Sequence, residues 1–329
     1  MPRPETGPVM RRREFISLLG GAAALPIAAR AQQVKVPRVG ILALTNTDAE
    51  LYKKQLSAGL RDLGYFEGRN FTLETRSANG KADVLPDLAA DLVRLKVDVM
   101  SAIFTPCALA AKQATQEIPV VMIVGDPVGT GLVASLARPG GNITGLSNMG
   151  PNTGGKCVEL FRDIMPALRR VAILINPVDP FGKAIREQVQ LAGKIGGIDI
   201  GPVVTVQAPN ELDEAFEVMT KQKADAVVVQ SIFFPDSIAG SAIKYRLPSA
   251  AVLRSYADAG GLMSYGADIP DMFRRTAVFV QKILQGAKPA DLAVQQPTKF
   301  ELAINVKTAR AIGLTIPEIF LQRADVVIE

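Results

Sequence analysis

The sequence predicts an α/β protein built as two doubly wound lobes with a ligand cleft between them. Three observations carry that prediction: short apolar strands alternate with amphipathic helices, a cluster of turn residues interrupts the alternation near mid-chain, and the same alternation restarts beyond it. The first strand reads as 38–44. The helix predicted over 48–64 sets Leu56, Leu60 and Leu63 on one face, at i, i+4 and i+7. Strands at 71–77, 99–103, 120–124 and 143–146 follow, with helices at 85–95 and 106–115 between them. Strands joined by helical crossovers run parallel, and a parallel sheet needs helices on both faces. Gly145-Leu146-Ser147-Asn148-Met149-Gly150-Pro151-Asn152-Thr153-Gly154-Gly155 then reads as a glycine-rich connection. Beyond it come a helix at 156–165, a strand at 170–175, a helix with Ile185, Val189 and Ala192 on one face, a strand ending at Val206, a helix at 211–220 and a strand at 226–230.

The first 31 residues read as an address rather than as part of either lobe. Arg12-Arg13-Glu14-Phe15-Ile16 opens it, an uncharged apolar run continues to Ala29, and Ala29-Arg30-Ala31 closes with the small residues a signal peptidase requires. The apolar run is about 15 residues, short of the roughly 20 that span a bilayer. Cleavage after Ala31 is expected. Paired arginines followed by x-Phe-Ile match the twin-arginine export route, with an ordinary arginine-rich signal as the alternative. No cysteine stands at the cleavage point, where a lipid-modified product needs one, so no direct membrane anchor is expected.

Without that leader about 300 residues are left, enough for two domains with full cores. At 48% hydrophobic and 21% charged, the composition is globular. The formal net charge of +5 includes +3 from the five arginines and two glutamates of the leader, so the exported part is nearly neutral. That balance argues against a nucleic-acid partner. The absence of histidine removes the commonest general base and metal ligand, and every Ser-His or Cys-His nucleophile. No catalytic residue, metal site or cofactor is predicted. Cys107 and Cys157 fall in predicted helices of different halves and read as buried free thiols. Gly129-Thr130-Gly131-Leu132-Val133-Ala134 fits a loose dinucleotide pattern but lacks an acidic residue near position 150 to hold a ribose, so it is set aside.

In open α/β sheets the ligand sits beyond the carboxyl ends of the strands, where loops feed helix N-termini. Those positions hold Thr45-Asn46-Thr47, Thr105-Pro106 and Gly125-Asp126-Pro127 in the first half, and Asn176-Pro177, Gln230-Ser231 and Ser264-Tyr265 in the second. Each of these residue types is also a common helix cap or turn former. Their recurrence in both halves points to one shared polar site. The candidates are Thr45, Asn46, Thr105, Asp126, Asn148, Asn176, Ser231, Ser264 and Tyr265.

Longer blocks narrow the reading. They are Arg12-Arg13-Glu14-Phe15-Ile16, Gly125-Asp126-Pro127-Val128 with Gly131-Leu132-Val133, Arg138-Pro139-Gly140-Gly141-Asn142-Ile143-Thr144-Gly145, Gly260-Gly261-Leu262-Met263-Ser264-Tyr265-Gly266 and Gln295-Gln296-Pro297-Thr298-Lys299-Phe300-Glu301-Leu302. Over essentially the whole chain the sequence resembles the periplasmic substrate-binding proteins of ABC importers, of the tryptophan/tyrosine-binding type. The resemblance implies a type I periplasmic-binding fold of two Rossmann-like lobes connected by three crossings. Residues 36–147 plus about 267–294 form the first lobe, and 148–266 plus about 295–329 the second. It also implies a soluble, monomeric periplasmic receptor that closes on an amino acid or similarly compact solute and delivers it to an ABC permease and its ATPase. In that frame Thr45, Thr105 and nearby helix N-termini hold an α-carboxylate, Asp126 faces an ammonium group and Tyr265 packs on an apolar part of the ligand. Between Phe234 and Leu247 the chain is about one helical turn shorter than the family pattern, which bears on the loop after Gln230. Two other functions stay open at this point. One is an exported enzyme using Asp126 with Asp258 or Asp268 as acid and base; the other is a sensory receptor for a chemoreceptor or histidine kinase.

Overall fold

The computed structural model describes residues 36–329; the expected export leader and its expected cleavage after Ala31 lie outside the described residues. Strand β1 (Arg38–Ala43) is buried on both faces, as its unbroken apolar run requires, and pairs in parallel with β2 (Thr72–Ser77) and β3 (Val99–Ile103). With β4 (Val120–Val124) and β5 (Ile143–Ser147) they form a parallel sheet in the order β2-β1-β3-β4-β5. Helices α1 (Asn46–Asp62), α2 (Leu85–Arg94) and α3 (Phe104–Ala114) follow β1, β2 and β3.

The second sheet repeats that order. It comprises β6 (Arg170–Ile175), β7 (Asp199–Thr205), β8 (Ala226–Val229), β9 (Ser249–Ala251), β10 (Met263–Ala267), β11 (Phe300–Asn305) and β12 (Val326–Ile328), arranged β12-β11-β10-β9-β8-β6-β7. Strands β7-β6-β8-β9-β10 match β2-β1-β3-β4-β5, and β11, antiparallel to β10, extends the edge. Its helices are α4 (Gly150–Ile164), α5 (Phe181–Gly196), α6 (Leu212–Lys221), α7 (Pro235–Lys244) and the short α8 (Arg254–Asp258).

The chain passes between the sheets three times. The first passage joins β5 to α4, and the second joins β10 to α9 (Ile269–Leu284). Helix α9 packs back on α1: Phe273 meets Tyr52 edge to face at 5.0 Å, the Tyr52 hydroxyl donates to Thr276 Oγ1 at 2.9 Å, and Gly59 leaves no room for a Cβ beside the Arg274 carbonyl. The third passage runs beside β5, where Ser147 N–H donates to the Gln295 carbonyl at 2.8 Å. Helices α10 (Val306–Ile312) and α11 (Glu318–Leu321) complete the chain.

Two local expectations are corrected. The glycine-rich connection is mostly helix, because α4 starts at Gly150 rather than near residue 156. Its glycines serve packing: a Cβ on Gly155 would sit 3.1 Å from the Gln188 carbonyl of α5, so the small residues let two helices approach closely. Ser264 and Tyr265 lie inside β10, not at a strand end. Gly266 of the same strand is pressed against the Val252 carbonyl, where no side chain fits. Cys107 and Cys157 are free and buried, and the 129–134 segment opens no helix.

Candidate functional site

In both sheets the strand order reverses between the first and third strands of the repeat, and loops leaving that point diverge to opposite faces. The reversal lies between β1 and β3 in one lobe and between β6 and β8 in the other. The segments after these four strands, loops and helix N-termini, supply Thr45, Phe104 and Thr105 from the first lobe, and Asp179, Phe181, Ser231 and Ile232 from the second. They meet around two adjoining spaces. An inner cavity of about 20 Å³ is lined by Thr105, Asn148 and Asp179 among apolar residues. An open chamber of about 610 Å³ shares Phe104, Ile232 and Leu253 with it and extends past Thr45 and Ser231.

Asp179 dominates the inner cavity. It is 2% exposed, and its two oxygens are held separately: Oδ1 accepts Phe181 N–H at 3.0 Å and Oδ2 accepts Gln230 Nε2 at 2.8 Å. Gln230 Oε1 in turn accepts Asn176 N–H at 2.9 Å, and Asn176 Oδ1 accepts Val178 N–H at 2.9 Å. Burial pushes the Asp179 carboxyl up to about 6, against those hydrogen bonds, because an anion is costly to desolvate. A buried, fixed carboxylate facing a cavity is a receptor for a desolvated cation or a poised acid.

Phe181 and Phe104 shape the space around it. The Phe181 ring lies against the backbones of Gly125, after β4, and Gly150, at the start of α4, where any Cβ would overlap it. An apolar ring from the second lobe thus seats on the first. Phe233 does likewise, buried in an apolar cluster built mainly from first-lobe residues including Leu42, Leu44 and Ala78. Phe104, Met149 and Phe234 adopt left-handed backbone conformations, with φ of 67°, 54° and 34°. Bulky side chains rarely tolerate this, and all three of these residues line the cleft spaces.

The structure brings four of the nine sequence candidates to the two adjoining spaces, and a fifth to a separate one. Thr105 and Asn148 line the inner cavity, and Asn148 Oδ1 accepts Gly150 N–H at 3.0 Å. Thr45 and Ser231 line the open chamber. Thr45 also caps α1, accepting Asp48 N–H at 3.1 Å and donating to Asp48 Oδ2 at 2.6 Å. Asp126 lines a separate space of about 330 Å³ beside the chain crossings, and its Oδ1 accepts Gly129 N–H at 2.8 Å in a local turn. The other four lie elsewhere. Asn46 is exposed and bonds Asn79, whereas Asn176 supports Gln230 from behind and borders an outer pocket with Lys183 and Arg186. Ser264 is buried in β10, and Tyr265 stacks on Phe300 of the neighbouring strand at 6.0 Å. Asp258 pairs with Arg254 and Asp268 caps α9 by accepting Asp271 N–H, so the acids considered for catalysis do not converge with Asp126.

Asp179 and Phe181 were missed from sequence. The available signal was an acid held between Val178 and Pro180 immediately before a helix, after a strand at the reversal point. Its partner Gln230 is 51 residues away, a pairing no local pattern displays.

Comparison with known proteins agrees with this geometry. Residues 38–328 match the family model for ABC transporter substrate binding proteins. A tyrosine-binding protein of Clostridioides difficile (strain R20291) is 25% identical over 269 residues, covering 80% of this chain and 76% of that protein. A conserved domain protein from Vibrio cholerae superposes with a TM-score of 0.82 at 29% identity, over 89% of this chain and 100% of that one. An ABC domain from Streptococcus pneumoniae, solved in complex with L-Trp, gives 0.81 at 29% identity, over 89% and 99%. The two lobes form a type I periplasmic-binding fold. With a match spanning both lobes and a cleft at their shared reversal points, this chain belongs to the ABC transporter substrate-binding protein family.

Proposed function

We propose that this protein is the periplasmic receptor of an ABC importer and that it captures a compact amino acid between its lobes. The observation that carries the reading is Asp179, a buried carboxylate fixed by two donors and lining a cavity between the lobes. An ammonium group there offsets the desolvation of the acid. Thr105 and Asn148, which line the same cavity, supply polar partners for the α-carboxylate. The tyrosine-binding relative and the L-Trp complex support the same ligand class.

Ligand contacts from both lobes make affinity depend on closure. Binding energy shifts an open-closed equilibrium, and the closed form is what a permease and its ATPase recognise. A monomer suffices for that cycle, because both walls come from one chain. Among the described residues no helix is long and apolar enough to cross a membrane, which suits an exported receptor without its own anchor. The family is one of substrate-binding proteins rather than enzymes, and the ligand is expected to leave unchanged.

Thermal-shift screening of amino acids against the mature protein tests this. A cognate ligand at about 100 times its Kd adds about 2.7 kcal/mol of stability. No stabilisation by any amino acid, or recovery of a chemically altered ligand, would overturn the proposal.

A further inference from the structure

The inner cavity holds little more than one water-sized group, so a ligand anchored at Asp179 must extend its remainder into the open chamber. That chamber has an apolar waist formed by Leu51, Phe104, Ile232, Phe234 and Leu253. Its rim carries Asp48, Asp236 and Asp258, and neither Lys nor Arg lines the chamber or the inner cavity. Arg254, the cation beside Asp258, is not among the lining residues and is divided between Asp258 and Glu301, each within 2.9 Å. Independently, Ser231 lines the same chamber, is 2% exposed, and its hydroxyl has no hydrogen-bond partner among the described residues. Buried hydroxyls are normally paired, so this one is left for a ligand to satisfy.

We infer that the cleft selects an amino acid whose side chain is an apolar stem ending in a protonated nitrogen, with the stem in the waist and the cation among the rim carboxylates. The inference rests on the amino-acid reading above and adds a second charge to it. Apolar stems of this kind pack on hydrophobic walls while the charged end stays near water. Acidic side chains meet like charges at both ends of the cleft and are rejected.

Calorimetric titration of the mature protein with L-arginine, L-lysine, L-leucine, L-tyrosine, L-tryptophan and L-glutamate tests it. The basic pair is expected to bind at least about tenfold tighter than any neutral member, with L-glutamate weakest. In an Asp236→Asn/Asp258→Asn variant, the preference for L-arginine over L-leucine is expected to fall at least about fivefold. Both acids are exposed, so circular dichroism should show an intact fold. Neutral amino acids binding as tightly as basic ones, or a preference unchanged in the double variant, overturns this inference and leaves the amino-acid receptor standing. Binding by none of the six overturns this inference, and binding by no amino acid at all overturns both.

Discussion

The two walls of the cleft use the same residue types in opposite ways. In the first lobe the polar strand ends serve their own loops: Thr45 caps α1 through Asp48, three residues on, and Asp126 closes a turn onto Gly129, also three residues on. In the second lobe they reach across strands, with Asp179 bonded to Gln230 and Gln230 to Asn176 over more than fifty residues of sequence. The first arrangement is half-buried. The second is buried and holds a carboxylate at the cost of desolvating it. In the proposed site the second lobe thus contributes the buried carboxylate, and the first contributes the hydroxyls of Thr45 and Thr105.

Truncating one acid from each wall is the sharpest way to break that contrast. Asp179→Ala is expected to lower amino-acid affinity at least about a hundredfold, because a desolvated charge contact costs on the order of 2 to 5 kcal/mol to lose. Calorimetry decides it, and a loss below about threefold would remove Asp179 from the site.

Stability against pH gives the next effect. Burial sets the Asp179 carboxyl at about 6 in the folded protein against an ordinary 3.8, so the ligand-free fold holds that proton more tightly than the unfolded chain does. The stability this adds is complete below about pH 4 and is lost as pH rises through about 6, a change of about 2 to 3 kcal/mol. Chemical denaturation should show wild type declining over that window relative to Asp179→Asn. The variant carries a constant penalty, since its amide opposes Gln230 Nε2, but no slope from this group. Parallel curves would mean that the carboxyl titrates normally.

The same shift has an opposite sign for binding. An ammonium ligand needs the ionised acid, so affinity should fall about tenfold from pH 7.5 to pH 5, where only about a tenth of Asp179 is charged. Affinity rising towards acid would contradict the pairing. On the first lobe, Asp126→Ala and Thr45→Ala should each cost only about 1 kcal/mol of stability, the usual worth of a turn or cap hydrogen bond. The affinity change for Asp126→Ala should stay below about threefold. A larger one would restore Asp126 as the cation partner.

What could be read from the sequence follows the same division between local and distant. The strand and helix alternation is local periodicity, and Leu56 and Leu60 on α1, or Ile185 and Val189 on α5, are buried as their spacing predicts. Glycine misled in the 145–155 segment, because its absent side chain serves turns and close packing alike: Gly155 admits a neighbouring helix. Among the site residues, strand ends locate Thr45, Thr105 and Ser231. Asp179 escaped because its significance comes from burial beneath Phe181 and from Gln230, both set by how the lobes meet.

The most direct measurement removes the ligand's ammonium and the protein's carboxylate in turn. Wild type and Asp179→Ala would be titrated with the tightest-binding amino acid and with the matching carboxylic acid that lacks the α-amino group. If Asp179 holds the ammonium, deamination costs wild type at least about a hundredfold in affinity and costs the variant little, so the two losses do not add. Equal losses in both proteins would show that the ammonium is bound elsewhere and that Asp179 only holds the loop before α5.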